Sequence, residues 1–415
     1  MRPIGCKDKS FIYTNPSCLM YDLRFSQTLD PDKVKKALSD TVRQNKQMSV
    51  RPVFVNGKVY YEENNAPLPI LDINSVDGIH IGTDDTNGYL FLVCAEGKRL
   101  VFIQTHSLGD YAAGRAIVRQ LCGYLAMAYG IDAGKELTLC AEISDEMDAY
   151  YPYEKYHDDA AKPSTEFRLA QNTLALTGDV NSRLRGAALK FDEREFVQYF
   201  KANDASFAPM LVDVISSALV DKYGNGHSDI LTVMTANVRK YFNSGCLTNF
   251  SENIYLSLDA DDKYLSASER CRKLKNMANA QLTKEHLQAV MNSRIRDMHK
   301  IENENATPRH SGKMLTYGLA YVGREVPEEA LEGFLESIDT LPLVPAAPNL
   351  YIKAAAKTGC VHVDFWINSL AEEVALAVAA EFSKRGIHAE LDRMIDTEFM
   401  VFNNFRRYKG YEKEL

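Results

Sequence analysis

From Met20 to Met394 the chain keeps alternating two kinds of segment: short apolar or period-two runs, and longer runs with apolar residues at three-to-four spacing. Segments of these two periods bury their apolar faces by layering helices on sheets, so an α/β (α+β) chain is expected. At 415 residues it is too long for one ordinary core, and two lobes of roughly 150 to 250 residues each are expected. The polar stretch Glu142 to Pro163 has no sustained apolar period and reads as the crossover. This places an N-terminal lobe at 1–160 and a C-terminal lobe at 161–415.

Local signals fill in the order. Met20 to Leu29 reads as a strand; Asp30 and Pro31 then supply an N-cap and a first helical residue for a helix carrying Val34, Ala37, Leu38 and Val42. Asn56-Gly57 between Met48–Val55 and Lys58–Glu62 predicts a two-residue hairpin. Gly88–Cys94 and Arg99–Thr105 read as strands. Gly109–Tyr129 reads as a helix with Ala113, Ile117, Leu121, Leu125 and Ala128 on one face. In the second half, strands are expected at Arg183–Phe191, Ile230–Ala236, Lys313–Tyr321, Leu350–Ala355, Cys360–Ile367 and Ile387–Met394. Helices are expected at 192–202, 205–223, 265–301 (broken) and 370–385, the last ending at Gly386.

A net charge of −8 with no basic cluster repels a phosphate backbone, so nucleic acid is not an expected partner. The sequence has no run of 18 apolar residues and no basic-then-apolar leader, so a soluble cytoplasmic protein without a membrane span is expected. The eight cysteines are scattered, without a CxxC pair or an alternation with histidine. They read as reduced core residues rather than metal ligands. No GxGxxG, phosphate-cradling GxxxxGK[ST] or HExxH motif occurs, so neither nucleotide nor zinc chemistry is expected.

A His and an Asp with three residues between them occur three times, as His80 and Asp84, His106 and Asp110, and His388 and Asp392. Spacing therefore selects none of them; context does. His388 lies inside an alternating strand and His80 in an acidic, turn-rich stretch. His106 ends an apolar strand and precedes a long helix, where a side chain projects from a rigid scaffold into a cleft. A neutral imidazole there can take a proton from an acceptor hydroxyl or amine.

His106-Ser-Leu-Gly-Asp110 resembles the HxxxDG motif of the CoA-dependent acyltransferases. These include chloramphenicol acetyltransferase, alcohol acetyltransferases, plant BAHD-type enzymes and peptide-synthetase condensation domains. Asn237-Val-Arg239 and Leu247-Thr-Asn249-Phe250 resemble the strand-end Asn-x-Arg and following Asn-Phe of the bacterial alcohol acetyltransferase-like members. Val361 to Asn368, with Asp364-Phe365-Trp366, is similar to a C-terminal DFGWG motif whose Trp is shifted and whose glycines are missing. The likeness covers most of the chain.

The resemblance implies two chloramphenicol-acetyltransferase-like lobes, each a mixed β-sheet flanked by helices, with an interlobe tunnel. It implies His106 as general base in that tunnel and Asp110 as its structural support, with Arg239 as the ion-pair partner. Ser107, Tyr111 and Asn237 are tunnel candidates. No bound cofactor or metal is implied; acyl-CoA, foremost acetyl-CoA, would be the co-substrate and a small alcohol or amine the acceptor, with an acyl-carrier protein as the variant donor. The chain departs from the motif at Tyr111, where the family has Gly. The phenol could fill the acceptor channel, donate a hydrogen bond or mark lost catalysis, which leaves a non-catalytic small-molecule-binding or scaffold protein as the competing reading. The bland readings are a packed strand-end histidine for His106, a helix-dipole acid for Asp110 and a surface ion pair for Arg239. Trp366 reads as core or lobe interface, and His362 and Asp364 as one face of a strand. Asp145 to Asp159, with Tyr150, Tyr151, Tyr153 and Tyr156, reads as a solvated connector.

Overall fold

A computed structural model describes residues 1–13, 17–56, 58–133, 145–179, 185–304, 315–343, 349–396 and 401. Its helices are α1 (Cys6–Tyr13), α2 (Pro31–Gln44), α3 (Tyr111–Ala128), α4 (Glu146–Tyr150), α5 (Pro152–Tyr156), α6 (Glu193–Ala202), α7 (Phe207–Tyr223), α8 (Arg239–Phe242), α9 (Ala267–Gln281), α10 (Lys284–Glu304) and α11 (Ala371–Lys384). Its strands begin with β1 (Cys18–Phe25), β2 (Val50–Val55), β3 (Lys58–Glu63), β4 (Ile70–Leu71), β5 (Phe91–Glu96) and β6 (Arg99–Thr105). They continue with β7 (Arg185–Asp192), β8 (Ile230–Asn237), β9 (Ser251–Leu258), β10 (Tyr317–Arg324), β11 (Leu335–Leu343), β12 (Leu350–Ala356), β13 (Cys360–Trp366) and β14 (Ala389–Asp396).

Among the described residues the strands form a five-stranded mixed sheet in the order β11-β1-β6-β5-β4, a seven-stranded mixed sheet in the order β14-β7-β13-β12-β10-β8-β9, and the hairpin β2-β3. Helices flank both sheets, giving the mixed α/β architecture expected. The first core packs Ile117, Val118, Leu121 and Leu125 of α3 against Val34 and Leu38 of α2 and against Tyr21 and Phe102 of the sheet. The second packs α7, α9 and α11 on one face of the larger sheet.

Local signals account for many of these boundaries. Asp30 caps α2 by accepting from the backbone N–H groups of Asp32 and Lys33, and Pro31 stands at the first turn. Asn56 takes a positive φ of 51° between the paired β2 and β3, as a two-residue hairpin loop requires; its partner Gly57 lies outside the described residues. The helical stretch from 265 to 301 is broken as expected, into α9 and α10.

Several features differ from the sequence expectations, and α1, β4 and β9 have no counterpart among the expected elements. β11 has no counterpart among the expected strands, and it pairs antiparallel with β1, so a strand from late in the chain completes the first sheet. α10 likewise sends Leu287, Met291 and Met298 into the first core. A further difference is the Tyr-rich connector, which is packed rather than solvated. Tyr153 is 1% exposed, with its hydroxyl donating to Glu252 Oε1 at 2.6 Å, and Tyr156 stacks on Phe250 at 5.6 Å. Its aromatic rings recur at spacings that no simple period registers, so the apolar face formed by α4 and α5 is invisible in one dimension.

Candidate active site

β6 runs between β1 and β5, and its end delivers His106 to the turn before α3. The His106 backbone N–H donates to Ser17 O at 2.9 Å, and Leu108 N–H closes the turn onto Thr105 O at 3.1 Å. Asp110 starts the helix: its Oδ1 accepts from Ala113 N–H at 3.0 Å, and Ala113, Ile117, Leu121 and Leu125 follow on the buried face. Gly114, on that face, lies so close to the Tyr21 hydroxyl and Gln104 that a Cβ would overlap both.

Arg239 reaches Asp110 with two nitrogens, Nη1 to Oδ2 at 3.0 Å and Nη2 to Oδ1 at 2.9 Å. Phe250 N–H adds a further donor to Oδ2 at 2.9 Å, so the 4%-exposed carboxylate is fully occupied by donors. Burial alone would push the Asp110 carboxyl up; the Arg239 charge and these donors outweigh it and hold it below the usual carboxylate range. These four donors take up the carboxylate, so Asp110 ties the start of α3 to Arg239 and Phe250. The same guanidinium donates to Cys246 O at 2.8 Å and Thr248 O at 2.6 Å, so it also shapes the loop 246–250.

That loop holds the histidine. Asn249 Nδ2 donates to His106 O at 2.7 Å and to Asp8 Oδ1 at 2.6 Å. Both partners are acceptors, so the amide nitrogen lies on their side and Oδ1 faces His106 Nδ1, 3.0 Å away. Nδ1 therefore carries the proton and Nε2 the lone pair. Burial pushes the imidazole pKa below its ordinary value, only partly opposed by its hydrogen bonds and by Asp110, so the neutral form prevails at pH 7. Phe11, from α1, lies flat on the ring with centroids 3.7 Å apart and planes within 10°.

A cavity of about 220 Å³ opens beside His106 and takes its walls from both sheets. Leu19, Thr340 and Pro342 come from the first, Thr235, Asn237 and Tyr351 from the second. Of the residues expected at a tunnel, Tyr111 and Asn237 line this cavity, and Arg239 touches Asn237 Oδ1 at 3.2 Å. Ser107 is buried with its hydroxyl 2.8 Å from Thr105 Oγ1, and does not line the cavity. Tyr111 is the first residue of α3, and its hydroxyl lies 3.5 Å from Glu325 Oε1.

Opposite Tyr111 stands Lys353, 4% exposed, whose Nζ donates to Glu325 Oε2 at 2.9 Å and Thr340 O at 2.7 Å and lies 3.2 Å from Asp364 Oδ2. Burial opposes this charge, but the two carboxylates outweigh it and hold the lysine protonated. Asp364 thus pairs with Lys353, and Trp366 is fully buried against Ala188 and Ile395. The cysteines Cys6, Cys18, Cys94, Cys122, Cys246 and Cys271 are buried free thiols, and the described residues contain no group able to hold a metal ion.

Asp8, Phe11, Glu325 and Lys353 were not singled out by the sequence. A lone lysine in the apolar run Leu350–Ala356 was the available signal for the last; the polar N-terminal stretch gave none for Asp8.

No family model matches the sequence, and no curated protein matches it. Solved structures do. The epimerization domain from the third module of tyrocidine synthetase B aligns at 13% identity over 89% of this chain and 90% of its own, with a TM-score of 0.63. The TRI101 protein of F. sporotrichioides, in complex with coenzyme A and T-2, aligns at 10% identity over 94% and 99%, also at 0.63. The trichothecene 15-O-acetyltransferase TRI3 of Fusarium sporotrichioides aligns at 11% identity over 92% and 94%, at 0.62. With both lobes covered in each alignment, the chain has the two-lobed fold of the chloramphenicol acetyltransferase type.

Proposed function

We propose that this protein transfers an acyl group from acyl-CoA to a small alcohol or amine, with His106 as general base. The observation that carries the reading is the state of one imidazole. It is neutral, its proton is fixed on Nδ1, and Nε2, which makes no hydrogen bond among the described residues, is left at a cavity lined from both sheets. In this scheme Nε2 takes the proton as the acceptor oxygen or nitrogen attacks the thioester carbonyl carbon. The tetrahedral centre then collapses, the C–S bond breaks, and the proton passes from Nε2 to the leaving thiolate. No covalent enzyme intermediate is needed. A base so placed is worth about 10²- to 10⁴-fold, or about 3 to 5 kcal/mol.

The fold likeness supports this reading, since the TRI101 structure holds coenzyme A and TRI3 is described as an O-acetyltransferase. Acetyl-CoA is the first donor to try, and a carrier-protein thioester the second. A cavity of about 220 Å³ beside the base suits a small acceptor. No described helix is long and apolar enough to cross a membrane.

The test is release of free thiol from acetyl-CoA by the wild type and His106→Ala over a panel of alcohols and amines. A loss of at least about a hundredfold in the variant supports the base, and equal rates remove it. No turnover by either, with acyl-CoA still bound in calorimetry, would favour the non-catalytic binding protein that Tyr111 suggested.

A further inference from the structure

The mechanism above uses the Nε2 lone pair of His106, with the other proton held on Nδ1, but leaves two neighbours without a role, and both lie on α1. Asp8 is 4% exposed, makes no ion pair among the described residues, and directs Oδ1 at both N–H groups of Asn249, the backbone at 3.1 Å and Nδ2 at 2.6 Å. A carboxylate buried without a direct ion pair is costly, which leaves its geometry to be explained. Three residues along the same helix, Phe11 covers one face of the imidazole at 3.7 Å.

We infer that α1 is a clamp for the catalytic imidazole, in which Asp8 and Phe11 are positioning residues: Asp8, through Asn249, fixes the proton on Nδ1, and Phe11 fixes the plane of the ring. This rests on the reading of His106 as base.

The argument is one of hydrogen-bond direction. Asn249 presents a donor end and an acceptor end of nearly equal size, and turning the amide over would put Nδ2 against Nδ1 and drive the imidazole proton to Nε2. A base with its proton on Nε2 has no lone pair for the acceptor. His106 O opposes that turn with one bond at 2.7 Å, and Asp8 adds a second on the same amide nitrogen. Burial pushes the Asp8 carboxyl up to about 7, yet Oδ1 remains an acceptor in either protonation state. Phe11 supplies the remaining constraint, because parallel rings at this distance resist rotation of the imidazole about χ2.

The helix is itself docked. Cys6 N–H donates to Glu154 Oε1 at 2.8 Å on α5, and Lys9 Nζ to Glu302 Oε2 at 3.0 Å on α10. The clamp is therefore held from outside the site.

The test is the ¹⁵N imidazole signature of His106 in histidine-labelled protein, assigned by its loss in His106→Ala, alongside thiol release. Wild type should show Nδ1 protonated and Nε2 bare. Asp8→Leu should give a mixed signature and a fall in kcat of about ten- to a hundredfold, with KM for acetyl-CoA within about threefold. Asp8→Asn keeps an acceptor oxygen and should keep the wild-type signature and most of the rate. Phe11→Leu should broaden the signature and lower kcat, and Phe11→Tyr should restore both. An unchanged signature in folded Asp8→Leu, or in folded Phe11→Leu should Asp8→Leu not fold, overturns the clamp. If wild type releases no thiol, the signature still decides the clamp, and it is the acyl-transfer reading that falls.

Discussion

The two parallel hydrogen bonds from Arg239 to Asp110, at 3.0 and 2.9 Å, tie the turn that carries His106 to the loop that supplies Asn249. One buried ion pair thereby sets both the position of the His106 imidazole, through the start of α3, and the acceptor for its Nδ1 proton. Neither residue has to touch substrate for the pair to matter.

Breaking this pair from one side leaves a buried, uncompensated carboxylate. Arg239→Ala should cost about 3 to 5 kcal/mol of unfolding free energy, read as a lower denaturant midpoint. Arg239→Lys, which cannot make the forked contact, should fall between the two. A wild-type midpoint in Arg239→Ala would contradict this tie.

The pH profile of kcat/KM should carry an acid limb below 6.5. In the proposed reaction the active base is the neutral imidazole of His106, and burial places its pKa below the ordinary value. Activity is therefore full above that pKa and is lost as pH falls through it. A limb at or above 6.5 would mean that the observed base is not this buried histidine.

Tyr111 lines the cavity with a hydroxyl 3.5 Å from its nearest carboxylate, too long to anchor much. Tyr111→Phe should therefore stay within about 0.5 kcal/mol of wild-type stability. Tyr111→Ala should enlarge the cavity and shift the acceptor panel toward bulkier alcohols. A preference for smaller acceptors in Tyr111→Ala would refute the assignment of this ring to the acceptor wall.

Glu252 reports on acid stability. Burial pushes its carboxyl up, but Lys7 at 3.8 Å and Arg294 at 3.3 Å outweigh burial, and with Tyr153 they hold it down to about 2. The folded pKa lies below the unfolded one, so this stability is fully present above about 4.5 and is lost as pH falls toward 2. It amounts to about 3 kcal/mol at neutral pH. Glu252→Gln should be less stable than wild type at pH 7 and should lose less on going from pH 5 to pH 2, measured by denaturant titration at each pH. Parallel losses in the two proteins would exclude this carboxylate.

The sequence was most legible where structure is local. Asp30 and Pro31 announced α2, the spacing from Ala113 to Leu125 announced α3, and the apolar run from Arg99 to Thr105 announced the strand that ends at His106. Each is a matter of neighbours within a few residues. The resemblance also led to Arg239, 129 residues from Asp110, which no periodicity could have paired.

By itself, then, the sequence determined the alternation of elements, the strand-to-helix turn and the histidine placed on it, because backbone dihedrals and amphipathic faces are set by residues three or four apart. Only the tertiary structure decided the rest. It returned β11 to the first sheet beside β1, buried the Tyr-rich connector, set Lys353 between Glu325 and Asp364, and brought Asp8 and Phe11 to His106. These are contacts between residues far apart in the chain, chosen by how faces and charges are satisfied once buried. The sequence holds every partner but does not mark which ones meet.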